Sequence, residues 1–175
     1  MFYADGKLSA KGIVENHSYG GKWVSYYRNG KPQNLRNLNR DTGWITSYYD
    51  NGKVKDSDYF EGKNGLHIKH WYVTGQLAEN NQFKNGAFNG LQKDYYFNGR
   101  LRAVINVING KSYGEGKLWY EDGKLHAIVH KKNSLYDGRQ IIYYENGRVQ
   151  LEFTAKEGKG DGEVKKYDEN GKLTA

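Results

Sequence analysis

The chain has 175 residues, with no cysteine, one proline, 23 glycines, and 27 basic against 20 acidic side chains for a net charge of +7. Without cysteine there are no disulfides or thiolate metal sites. No apolar run approaches the roughly 20 residues of a membrane-spanning helix, and the opening MFYADGKLSAKG lacks a basic-then-apolar leader. The expectation is a soluble, cytoplasmic protein, or a periplasmic or surface protein if an upstream leader has been removed.

From Phe2 onward one block recurs: two aromatics, two variable residues, a glycine and usually a basic residue. The copies read FYADGKL, YYRNGKP, YYDNGKV, WYVTGQL, YYFNGRL, WYEDGKL, YYENGRV and YDENGKL, with glycines at Gly6, Gly30, Gly52, Gly75, Gly99, Gly123, Gly147 and Gly171. A period near 24 residues means one small unit stacked on copies of itself, each completing its neighbour's core. The blocks run to Leu173 without a break, so residues 1–175 read as a single continuous domain.

The fifth copy shows what the unit is. Gly90 to Phe97 carries adjacent rings without helical spacing, and Asn98-Gly99 predicts a type I′ turn. Leu101, Ala103, Ile105 and Val107 then alternate, which predicts a returning strand with those four residues on one side. Asn109-Gly110 makes a second turn. The prediction is an all-β, elongated array of about seven to eight antiparallel β-hairpins of roughly 24 residues.

Adjacent strand residues face opposite ways, so the aromatic pairs form two ladders. The first contains Phe2, Tyr26, Tyr48, Trp71, Tyr95, Trp119, Tyr143 and Tyr167; the second runs Tyr3, Tyr27, Tyr49, Tyr72, Tyr96, Tyr120 and Tyr144, and ends at Asp168. Asp168 reads as a polar terminal cap or a frayed last strand. Residues two before the first ladder share its face, which sets Lys69, Lys93, Lys117 and Lys165 beside Trp71, Tyr95, Trp119 and Tyr167. This basic and aromatic strip is either lysine stems covering rings or a binding surface for an anionic or protein ligand. Basic residues after the turn glycines (Lys7, Lys31, Lys53, Arg100, Lys124, Arg148, Lys172) are expected to line one edge, where exposed lysines aid solubility and discourage edge-to-edge pairing.

Catalytic signatures are missing. His67 with His70, and His126 with His130, are isolated pairs short of the three or four ligands of a specific metal site. The glycines punctuate hairpins and open no phosphate-binding helix. We therefore expect no enzyme activity, no cofactor and no metal.

The blocks YYDNGKV, YYFNGRL, WYEDGKL and YYENGRV, with NGKSYGEG from Asn109 to Gly116, resemble the bacterial variant of the MORN repeat, and the resemblance covers nearly the whole chain. Pro32, Gln76 and Asp168 depart from the pattern. Proteins of this kind are similar to the YwqK-type antitoxins, and the resemblance implies a non-enzymatic protein–protein interaction module, an antitoxin or immunity protein that blocks a partner toxin. An acidic protein surface suits the net charge. The alternatives are binding to anionic phospholipid membranes, a cell-surface scaffold, and, third, nucleic-acid binding by stacking on the strip.

Overall fold

The computed structural model describes residues 1–13, 21–39 and 41–175. Every regular element among the described residues is a β-strand, and the strand pairings among those residues are antiparallel. The fold is thus the all-β hairpin repeat that the 24-residue period predicts. The strands fall into two compact units, Met1–Gly86 and Ala87–Ala175.

The first unit is a meander of β1 (Ala10–Gly12), β2 (Gly21–Tyr26), β3 (Pro32–Asn39), β4 (Thr42–Tyr48), β5 (Val54–Glu61), β6 (Gly65–Trp71) and β7 (Leu77–Lys84), each paired with the next. The second unit holds β8 (Ala87–Phe88), β9 (Gly90–Tyr95), β10 (Leu101–Ile108), β11 (Lys111–Trp119), β12 (Leu125–Lys132), β13 (Leu135–Tyr136), β14 (Gly138–Tyr143), β15 (Val149–Lys156) and β16 (Lys159–Lys166). Strands β9 to β12 pair in order, β12 pairs with both β13 and β14, and β14 to β16 pair in order.

The repeated glycine closes the same turn in all eight blocks. In the second block, Gly30 N–H donates to the Tyr27 carbonyl at 2.9 Å and Tyr27 N–H to the Lys31 carbonyl at 2.8 Å. Gly30 alone takes a positive φ, 83°, whereas Asn29 does not. This is a three-residue loop, a type I turn followed by a glycine bulge, and it corrects the expected type I′ turn. The cause is local. Asn29 Oδ1 accepts the Lys31 N–H at 3.0 Å, an Asx turn that holds the asparagine right-handed and leaves the left-handed position to glycine. The opposite rim does use two positive-φ residues in sequence: Asn85-Gly86, Asn109-Gly110, Asn133-Ser134 and Glu157-Gly158.

A second regularity follows each glycine bulge. Tyr95 pairs with Leu101, but its neighbour Asp94 pairs with Ala103, so Arg102 is an extra residue in the return strand. Gln33, Lys55, Ala78, His126 and Gln150 are extra in the same way. Such bulges break side-chain alternation. Leu101 therefore joins the Tyr95 side while Ala103 joins the Asp94 side, against the expectation that Leu101, Ala103, Ile105 and Val107 share one face.

The register then fixes two faces within each unit, because directly opposed residues lie on the same side. In the second unit, one face carries the row Ala103, Leu118, Ala127, Ile142, Leu151, with Val129 and Phe153 beside it. The other carries Lys93, Val104, Lys117, Ile128, Ile141, Glu152, Lys165.

Candidate functional site

One aromatic ladder is consumed by stacking. Tyr3, Tyr27, Tyr49, Tyr96, Tyr120 and Tyr144 each donate their hydroxyl to the backbone carbonyl of the first aromatic in the following block, at 2.5 to 2.8 Å. Six phenols thus staple successive hairpins, each worth about 0.5–1.5 kcal/mol. Asp168, in the eighth block, keeps its carboxylate for its own turn, accepting from Asn170 N–H and Lys172 N–H at 2.9 Å each. That is the capping role its position suggests.

The turns are stacked as well. Asn29, Asn51, Asn98 and Asn146 donate their side-chain amides to carbonyls of the next turn, at 2.9 to 3.1 Å. Lys31 and Lys53 reach the Asn51 and Thr74 carbonyls, and Arg100 and Arg148 reach those of Glu121 and Glu169. These four basic residues are tie-bars between repeats, which the solubility reading missed. The clue in the sequence was the constant spacing, which brings a long cationic side chain beside a turn's unpaired carbonyls. The fourth block departs from the pattern: Thr74 stands where most blocks have asparagine or aspartate, and its buried hydroxyl has no partner.

The strip lies on the opposite face from the apolar row. Within the second unit, Lys93 and Tyr95, Lys117 and Trp119, and Lys165 and Tyr167 share that face, all exposed or half-buried. Return-strand residues that the sequence reading did not count stand between them: Val104 separates Lys93 from Lys117, and Ile128, Ile141 and Glu152 separate Lys117 from Lys165. Part of its charge is also neutralised. Lys117 pairs with Glu115 at 3.0 Å and Lys165 with Glu163 at 3.3 Å, the latter hydrogen bond holding the Lys165 ammonium above the usual lysine range. Arg139 grips Glu152 at 2.6 Å and holds its carboxyl low. In the first unit, Lys69 and Trp71 lie on the corresponding row, with Ser57 and Asn80 as Lys69's cross-strand neighbours.

The histidines do not gather. His67 meets Glu61 at 3.1 Å, and His70 meets Asp56 at 2.5 Å from the other face of β6. The His126 ring lies 4.3 Å from that of Tyr120. His130 Nδ1 donates to the Arg139 carbonyl at 2.6 Å, while Nε2 faces Glu115. Among the described residues no three metal-ligating side chains converge.

Comparison with known proteins places this geometry. The model described as the MORN repeat variant matches four segments of the chain, residues 19–39, 113–133, 136–157 and 160–175. The chain is also similar to Protein DSE1 of Scheffersomyces stipitis, 35% identical over 117 residues. That match covers 62% of this chain but 17% of the relative. The chain therefore spans a small part of that protein.

Proposed function

We propose that this chain is a non-enzymatic protein-binding repeat module whose partner lies across the first aromatic ladder and its lysines. The observation that carries the reading is the division of labour between the ladders. The second ladder's phenols are spent on staples, whereas the first shares an open face with charged side chains. Half-buried rings beside cations suit a protein partner, because aromatics supply contact area at small entropic cost while charges set orientation. Lys93, with no carboxylate in ion-pair range among the described residues, and the partly neutralised Lys117 and Lys165 favour an acidic surface.

The finer reading is antitoxin or immunity activity, in which the module covers a toxin's working surface; the likeness to YwqK-type proteins supports it. Co-expression with the product of an adjacent gene is expected to give a stoichiometric complex by size-exclusion chromatography and to restore growth. The triple variant Lys93→Glu, Lys117→Glu, Lys165→Glu is expected to weaken that complex about tenfold or more. No complex and no rescue would sink the antitoxin reading. A complex indifferent to the triple variant would move the contact away from the strip.

A further inference from the structure

Most of the unneutralised charge of the second unit lies elsewhere than on the strip, where Lys117 and Lys165 are paired and Lys93 alone among the described residues has no carboxylate in range. Lys117, Lys124, Lys165, Arg102 and Arg139 all have a carboxylate within 4 Å, and Arg100 and Arg148 are bound to turn carbonyls. Lys111, Lys132, Lys156 and Lys159 have no such partner among the described residues. All four flank the rim turns at Asn109-Gly110, Asn133-Ser134 and Glu157-Gly158.

These turns form one continuous rim. Ser134 N–H donates to the Ser112 carbonyl at 3.0 Å, and Ser112 N–H returns a bond to Ser134 Oγ at 3.0 Å. Gly158 N–H donates to the Tyr136 carbonyl at 2.8 Å, and the Leu135 side chain packs where a Cβ on Gly158 would point. Successive turns stand two strands apart, about 10 Å.

Along this rim lysines alternate with exposed aliphatics. Ile108 opposes Lys111 and Leu135 opposes Lys132, with Ile108 45% and Leu135 49% exposed. Lys156 and Lys159 oppose each other directly. Two like charges at opposed positions destabilise a sheet, and among the described residues neither lysine has a carboxylate in ion-pair range, the adjacent Glu157 included. Asp137 is engaged with the Glu157 N–H at 3.3 Å.

From this juxtaposition we infer that the rim of the second unit is a docking line for an acidic protein segment that also carries aliphatic side chains. The inference rests on the reading of the chain as a protein-binding module and is independent of the strip. A linear occupant suits a line of turns, with its carboxylates answering Lys111, Lys132, Lys156 and Lys159 and its aliphatic groups covering Ile108 and Leu135. Nucleic acid fits less well: it has no use for the aliphatics, and Lys131 already stands 5.2 Å over the Tyr136 ring.

The test uses the full chain and a labelled peptide of about twelve residues repeating Glu-Glu-Leu, with fluorescence anisotropy as the readout. Controls are an all-Glu peptide, an oligothymidylate, and phosphatidylcholine vesicles containing about one-third phosphatidylserine. The variant is Lys132→Glu with Lys159→Glu, which converts the opposed Lys156–Lys159 pair into a complementary one, so it is expected to melt no lower than the parent. The expected result is binding of the Glu-Glu-Leu peptide in preference to the other three probes, weakened about tenfold by the rim variant and unchanged by the strip variant. Loss with the strip variant alone would overturn the rim and keep the module. Failure of the peptide to bind, or equal or tighter rim-dependent binding of vesicles or oligonucleotide, would overturn the inference while leaving the antitoxin test untouched.

Discussion

In the second unit the stapled face is lined by Ala103, Leu118, Ala127, Ile142 and Leu151. The equivalent row of the first unit reads Ser25, Asn34, Ser47, Asp56, His70 and Glu79. Burial follows the same division. Val107, Ala127, Ile141 and Ala155 are buried in the second unit, whereas the first buries Ala10 and the amide of Asn81. Yet the turns, bulges and phenol staples recur in both. The block residues fasten one hairpin to the next by hydrogen bonds to backbone carbonyls, which every residue type supplies. The row between the fastenings is therefore free to be apolar or polar without loss of the repeat.

Two buried amides offer the sharpest contrast. Gln140, 2% exposed, accepts from the His130 N–H at 3.1 Å and donates to the His130 and Gly138 carbonyls at 3.0 Å each. It completes the ladder where β12 and β14 are joined by only two register pairs. Asn81, 7% exposed, donates to Glu79 at 3.1 Å, but its Oδ1 has no partner. Gln140→Leu strands the half-buried His130 N–H and is expected to cost about 1–3 kcal/mol in urea unfolding. Asn81→Leu removes an unsatisfied acceptor and is expected to cost under about 1 kcal/mol or to stabilise. Equal losses would mean that both amides are equally satisfied and the contrast is false.

The staples are the shared element, so their removal probes whether the two units differ only in their cores. Tyr120→Phe in the second unit and Tyr49→Phe in the first each delete one phenol–carbonyl bond, of 2.6 Å and 2.8 Å. Each is expected to cost about 1 kcal/mol by chemical denaturation. A much larger loss at Tyr120 would show that the staple draws its strength from the apolar row beside it.

Much of this plan was legible in the sequence, and the physical reasons are specific. The glycine period required a hairpin repeat, because glycine alone meets a left-handed backbone position eight times over without strain. The two ladders followed from strand alternation. What alternation could not supply was the bulge at Arg102 and its equivalents, since an extra residue leaves no mark in composition, and with it went the true partners of Leu101. The tie-bar role of Lys31, Lys53, Arg100 and Arg148 depends on the stacking distance between turns, a tertiary quantity. The strip's lysines and rings share a face as alternation requires, but the neutralising Glu115, Glu152 and Glu163 come from neighbouring positions that the 24-residue spacing does not connect.

Asp58 gives the smallest expected effect and the one most particular to the first unit. Burial first, and then the nearby Asp56, push its carboxyl above the ordinary aspartate range, with His70 pulling the other way; its buried Oδ1 has no partner. A carboxyl whose folded pKa exceeds its unfolded value binds more protons when folded, so its contribution to stability falls as pH rises through that window. At neutral pH the ionised group therefore destabilises the fold, and Asp58→Asn is expected to raise the melting temperature there. Because the side chain reaches solvent, the gain is under about 1 kcal/mol. Below the ordinary aspartate range the parent is protonated in both states, and the difference between parent and variant is expected to vanish. Thermal melts across the acidic range read this directly. Glu152, held low by Arg139, drives the opposite trend in both proteins, which is why the difference curve is the informative quantity. A variant less stable than the parent at every pH would show that the Asp58 carboxylate is held by a favourable contact, and that the polar row of the first unit is as well satisfied as the apolar row of the second.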